Sequence, residues 1–118
     1  MFDELHGLVV KTSGLIGPLR TALEPLVKRI RAAFVYGSVA KGTDQAASDI
    51  DLMVIADKLD YADIFGALQT VEAELGRTVN PHVMTLAEWK RKRGQAGFVS
   101  RIAGQPRLFV IGADDDLA

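Results

Sequence analysis

Two short apolar runs separated by a polar loop constrain this chain most. "AAFVYG" runs from Ala32 to Gly37 and "IDLMVIA" from Ile50 to Ala56. Each has the length and apolar content of a buried strand. Between them lies "SVAKGTDQAASD", a polar stretch with Gly42, Thr43, Asp44 and Ser48. Two aspartates, Asp49 and Asp51, sit where the second apolar run begins. An acid next to a resuming core is costly unless it has a partner, so this junction is where chemistry is to be sought.

The rest of the chain supplies helices and two more strands. "FDELHGLVV" places Phe2, Leu5, Leu8 and Val9 at helical spacing, and Gly14 and Gly17 are expected to interrupt it. Pro18 suits the first turn of a second helix with Leu19, Leu23, Leu26, Val27 and Ile30 on one face, which Pro25 should kink or split. "DYADIFGALQTVEAELG" is the clearest helix. Asp60 is its expected N-cap, Tyr61, Ile64, Phe65, Leu68, Val71 and Leu75 its expected buried face, and Gly76 its stop. "RTVNPHVM" reads as a third strand that Pro81 restricts to an edge or a bulge. "TLAE" (Thr85 to Glu88) has the form of a capping box for a helix that carries Trp89. A short helix near Phe98 to Ile102, a last strand "RLFVIG" and a tail at 113–118 expected to fray complete the pattern. The order αα-β-β-α-β-α-α-β predicts a small α/β sandwich, a mixed sheet of about four strands with helices packed on it. With 118 residues the chain is expected to be one domain, 1–118, with N-terminal helices in 1–30.

Composition removes several functions. The chain has no cysteine, which excludes disulfides, thiolate metal sites and a cysteine nucleophile. No stretch reaches the ~18 apolar residues of a membrane span, and the acidic start "MFDELHGLVV" does not resemble a secretory signal. A cytoplasmic location is the expectation. The net charge of −1 offers no global attraction to nucleic acid, so direct nucleic-acid binding is not expected.

Side chains alternate along a strand, so Asp49 and Asp51 share a face with Cα atoms roughly 7 Å apart. Two like charges at this spacing raise each other's pKa unless a cation sits between them. Carboxylate oxygens are the hard ligands that Mg²⁺ or Mn²⁺ takes, and paired carboxylates holding one or two such ions serve phosphoryl chemistry. Gly37-Ser38 is the other half. A helix beginning at Ser38 would turn its free N–H groups toward a phosphate. The Ser38 hydroxyl, the Lys41 charge and Ser48 add polar contacts. A Gly-Ser turn alone is usually only a turn, and a D-x-D pair alone is usually a solvated strand end. Together, in this order between two apolar strands, they are specific.

The pattern G-S-x-A-x-G followed by S-D-I-D-L resembles the minimal nucleotidyltransferases of the DNA polymerase beta superfamily, matched at Gly37, Ser38, Asp49 and Asp51. "LVVKTSGL", "AFVYGSVAKG", "SDIDLMVI", "LGRTVNPHVMT" and "RLFVIG" look like the subgroup often fused to winged-helix regulators. The resemblance implies a Mg²⁺-dependent transfer of a nucleoside monophosphate from an NTP, with ATP the first choice, to a hydroxyl on a protein, a small molecule or an RNA. It implies that Gly37 and Ser38 hold the β/γ-phosphates and that Asp49 and Asp51 hold the metal. It also implies a protein partner, either a winged-helix regulator or a toxin. So small a domain should have its site completed by the acceptor or by a second chain, a homodimer included.

One position departs from that family. Active members carry a third carboxylate on the following strand, where this chain has Asn80. An amide carries no charge and takes no proton. His82 lies two residues on and shares a strand face with Asn80; a histidine there is more often simply satisfied or exposed, but its imidazole is the candidate for a different base. The readings left open are a slow enzyme, an enzyme with a different base, and a nucleotide-binding module without turnover. His6, beside the apolar face of the first helix, reads as partly buried; Glu4, Asp44, Arg77 and the run "KRKR" (Lys90 to Arg93) read as ordinary surface groups, and Trp89 and Tyr61 as core.

Overall fold

The computed structural model describes residues 14–37 and 49–117. The expected first helix and the loop at 38–48 lie outside the described residues.

Helix α1 includes residues 14–23. Gly14 and Gly17, expected to break the chain, lie within it. Each glycine costs a helix about 1 kcal/mol. Burial of Leu19 and Leu23, both fully covered, offsets that. At Glu24–Arg29 the chain tightens into a 3₁₀ segment with Pro25 in its first turn. Proline has no N–H for the i→i−4 ladder, so the split falls where the sequence places it.

Four strands follow: β1 (Ala32–Tyr36), β2 (Ile50–Ile55), β3 (Val79–Met84) and β4 (Leu108–Ile111). Their order across the sheet is β3-β2-β1-β4. β1 runs antiparallel to β2 and β4, while β2 and β3 are parallel. Helix α2 (Tyr61–Leu75) joins the parallel pair, and helices α3 (Leu86–Arg93) and α4 (Phe98–Ala103) lie between β3 and β4 in the chain. Both sheet faces are covered. Ala33, Val35, Leu52 and Val54 pack with α1 and with Ile64, Leu68 and Val71 of α2. Phe34, Tyr36, Met53 and Ile55 pack with Trp89 of α3, Val99 and Ile102 of α4, and Leu117. Among the described residues no helix is long and apolar enough to cross a membrane.

The helix boundaries follow local chemistry. Asp60 and Asp63 form a reciprocal capping box at the start of α2, and Thr85 and Glu88 form one at the start of α3. Gly76 closes α2, its N–H donating to the Glu72 carbonyl at 2.9 Å. Tyr61 and Phe65, expected on the buried face of α2, are instead 53% and 44% exposed and stack on each other at 5.7 Å. The stripe that meets the sheet is Ile64, Leu68 and Val71. Phe65 is rotated about 100° from Ile64, onto the rim, and Tyr61 sits in the first turn.

Pro81 sits on an edge strand, as a residue without an N–H must. The pairing from Ile50↔Val79 to Ile55↔Met84 is unbroken, so Pro81 introduces no bulge. Ile50 and Ala56 donate to the Thr78 and Met84 carbonyls. In a parallel ladder this phase turns the backbone groups of Val79, Pro81 and Val83 outward. The Val79 N–H is satisfied by the Glu72 carboxylate at 2.8 Å, and Pro81 has none. The edge is thereby blunted against pairing with another strand.

Of the tail expected to fray, residues 113–117 are described. Asp114–Leu117 forms a 3₁₀ turn, and Leu117 is buried beside Trp89. Gly112 permits the reversal with φ +75°, where a Cβ would come within 2.9 Å of the Arg31 carbonyl. Arg93 Nη1 donates to the Leu117 carbonyl at 2.8 Å. Leu117→Ala is therefore expected to lower the unfolding free energy by about 2–5 kcal/mol, the range for a buried leucine. Chemical denaturation measures this, and a change within about 0.5 kcal/mol, as at a solvated position, would contradict the docking.

Candidate active site

The sheet brings three residues into one row across β1, β2 and the edge strand β3. Tyr36 pairs with Asp51 across the antiparallel ladder, and Asp51 pairs with Asn80 across the parallel one. Register partners share a face. Asp51, Asn80 and His82 therefore lie on the side of the sheet that carries Met53, Ile55 and Trp89. Asp49 is two residues before Asp51 and joins the cluster directly: Asn80 Nδ2 donates to Asp49 Oδ2 at 3.0 Å. Asn80 thus touches the acid pair, while His82 lies on the same sheet face and acts on Asp51 electrostatically.

Gly37 ends β1 with φ +76°. A Cβ at this position would stand 2.7 Å from Asp51 Oδ2, closer than any real contact of that kind. The glycine has two physical reasons. It adopts the left-handed backbone without penalty, and it leaves the Asp51 carboxylate room against the chain. Ser38, Lys41 and Ser48 lie outside the described residues.

The electrostatics are those of acids held against their preference. Burial pushes the Asp51 carboxyl above the ordinary carboxylate range, His82 pulls it down, and Asp49 pushes it up again. Burial and then the charge of Asp51 raise the Tyr36 hydroxyl well above the ordinary tyrosine range. The Tyr36 ring lies 6.3 Å from the His82 ring and 5.9 Å from Phe98, and His82 lies 5.4 Å from Phe98. The imidazole is exposed on this aromatic shelf. A groove of about 650 Å³ begins at Asp51 and Asn80 and passes His82 and Met84 to Glu88, Asp60 and Tyr61.

These residues fit a hard divalent cation. Two carboxylates with an amide beside them, a raised acid that a positive charge would relieve, and a glycine that opens space beside the carboxylate make an incomplete oxygen shell. Mg²⁺ is commonly held by one or two carboxylates with substrate phosphates completing its coordination. Tyr36 and Phe98 were not singled out from sequence. Tyr36 had a legible signal: it is the last strand residue before Gly37. Phe98 had none, because α4 reaches the site only through the folding of β3 and α3.

The chain matches the family described as Polymerase beta, Nucleotidyltransferase over residues 22–91. No curated protein matches it. Among solved structures, a chain of a toxin–antitoxin crystal structure with AMP-PNP superposes with a TM-score of 0.61 at 21% identity, covering 86% of this chain and 77% of that one. A chain of the toxin–antitoxin MntA-HepT superposes with a TM-score of 0.55 at 17% identity, covering 88% and 75% respectively. At these identities the likeness establishes the fold.

Gly37→Ala is expected to cost about 1–2 kcal/mol through its left-handed backbone alone, and to displace the Asp51 carboxylate. Chemical denaturation reads the first effect and Mn²⁺ titration the second; wild-type values in both would contradict the close approach. The raised Asp51 carboxyl makes a separate prediction. A folded-state pKa above the unfolded value means that ionised Asp51 costs stability at neutral pH. That cost disappears as pH falls below the unfolded carboxylate value of ~3.9. Without divalent cations, Asp51→Asn should therefore raise Tm at pH 7, and the gain should shrink toward pH ~3. A lowered Tm at pH 7 in thermal melts would contradict this assignment.

Proposed function

This chain belongs to the Polymerase beta, Nucleotidyltransferase family, and on that basis we propose that it transfers a nucleoside monophosphate from an NTP to a hydroxyl acceptor. The observation that carries the reading is the row of Asp51, Asn80 and the adjoining Asp49 opposite the Gly37 turn. Asp49 and Asp51 would hold Mg²⁺ or Mn²⁺, which would supply charge neutralisation and orientation to the phosphates. Gly37 keeps the turn open beside Asp51. Ser38, Lys41 and Ser48 are proposed phosphate contacts from their place in the sequence.

In the proposed reaction the acceptor oxygen forms a bond to the α-phosphorus. The bond from that phosphorus to the pyrophosphate oxygen breaks, and pyrophosphate leaves. The acceptor proton goes to His82. That residue faces the groove, is exposed to an incoming hydroxyl, and acts electrostatically on Asp51. Asn80 positions Asp49 and takes no proton. ATP is the proposed donor, a choice supported by the crystal structure with AMP-PNP among the similar folds. The open groove lets a partner protein, a toxin or a winged-helix regulator, or a second copy of the chain, complete the site. The similar toxin–antitoxin structures support a protein partner.

The neutral Asn80 favours a second reading, a nucleotide-binding regulatory module without turnover. Incubating the protein with α-labelled ATP, Mg²⁺ and host lysate separates the two. Transfer of label, lost in Asp49→Ala and Asp51→Ala and slowed roughly 10²- to 10⁴-fold in His82→Ala, is the expected result. Calorimetric binding of Mg-ATP without any label transfer would establish the second reading.

A further inference from the structure

Two concavities meet at His82. One is the groove that begins at Asp51 and Asn80 and ends at Tyr61. The other, of about 570 Å³, is lined by His82, Met84, Lys92, Gln95 and Phe98. His82, Met84 and Glu88 border both. A nucleotide with its phosphates at the acid pair can therefore extend its ribose and base past His82 into the second hollow. The described lining of that hollow carries no net charge. Lys92 Nζ lies 3.8 Å from Glu88 Oε2, and Gln95 is a neutral amide.

Phe98 gives the hollow its chemistry. A single exposed apolar residue is ordinary on a protein surface, but this one is placed by the site. Its ring lies 5.9 Å from the ring of Tyr36, the register partner of Asp51, and 5.4 Å from His82. These rings meet it at 75° and 43°, so neither takes a parallel position on it, and Phe98 stays 42% exposed. Tyr61, at the end of the first groove, differs: Phe65 already stacks on it at 5.7 Å with 22° between the planes. Beside Phe98 the space is open, since a Cβ built on Gly97 would meet nothing within 4 Å. A fixed, uncovered ring in an uncharged hollow suits a flat aromatic ligand. We propose that Phe98 stacks the base of the bound nucleotide, and that it holds purines more tightly than pyrimidines because a purine covers more of the ring. The inference rests on the nucleotide-binding reading of the acid pair.

The test is calorimetry on the full chain with Mg²⁺ and three probes: non-hydrolysable analogues of ATP and UTP, and inorganic tripolyphosphate, which offers phosphates without a base. Phe98→Ala should weaken the ATP analogue about 5- to 150-fold, the range that one base stacked on an aromatic ring contributes. Its affinity for tripolyphosphate should stay that of the wild type. Phe98→Leu keeps apolar bulk against Tyr36 and His82 but has no ring, and should lose ATP-analogue affinity in the same way. Phe98→Trp should retain it. The wild type should prefer the ATP analogue to the UTP analogue, and Phe98→Leu should narrow that gap. If Phe98→Ala does not fold, the leucine and tryptophan variants decide. If tripolyphosphate binds too weakly to measure, the change in the ATP-to-UTP ratio decides. Wild-type affinity for the ATP analogue in Phe98→Leu would overturn the inference, as would equal losses for the analogue and tripolyphosphate, or an ATP-to-UTP ratio that Phe98→Leu leaves unchanged. The label-transfer assay is read separately. A wild type that transfers label while Phe98→Leu binds nucleotide normally removes this inference and leaves the proposed activity standing. A wild type whose binding depends on the ring but that never transfers label does the reverse, and one that binds no nucleotide overturns both.

Discussion

The lateral register of three strands is the constraint on which the site depends. β1 and β2 are buried on both faces, so a charged group can sit on them only at their ends. The antiparallel pairing of β1 with β2 places Tyr36 opposite Asp51, and the parallel pairing of β2 with β3 places Asn80 on the other side. A slip of one residue in either ladder would turn the partner side chain to the opposite face of the sheet. The apolar face that makes such a slip costly is the one packed against Trp89, Val99 and Ile102. Core packing and site geometry are therefore one specification.

The polar end of this sheet is arranged against stability. Asp51 is partly buried near a second acid, and Tyr36 is buried near Asp51. His82 opposes part of the first effect and the Asn80 amide satisfies Asp49, but neither neutralises the pair. Groups held in this way are common where a protein binds a charged ligand, because the ligand relieves what the fold imposes. The Gly37 backbone belongs to the same arrangement. Any side chain there would occupy the space of the Asp51 carboxylate.

The surrounding elements hold this geometry from outside. Two capping boxes set where α2 and α3 begin, on either side of β3. The Glu72 carboxylate ties α2 to the edge of β3 through the Val79 N–H. The docked C-terminal turn, held through Arg93 and Leu117, covers the face behind the aromatic cluster. Arg107 lies over the Phe34 ring at 5.5 Å and pairs with Asp114 at 2.8 Å, linking β4 to the same turn.

Local chemistry was legible in the sequence wherever it acts within a few residues. The strand limits, both capping residues, the splitting of the first helical region at Pro25 and the edge position of Pro81 all follow from interactions that span a few residues. The acid pair was conspicuous in the sequence too, because two aspartates one residue apart stand where an apolar run resumes. Helical periodicity failed at Tyr61 and Phe65, since the pattern defines a stripe but not how wide a sheet it meets. The acidic composition of the tail concealed Leu117, whose burial depends on a pocket built by distant helices. Whether Asn80 and His82 reach the aspartates could not be read from spacing, because some thirty residues and a whole helix separate them. The sequence by itself determined the elements and their chemistry; the parallel register of β2 and β3 decided that an amide, and not a third acid, meets the pair, because only tertiary pairing sets which residues of remote strands lie side by side.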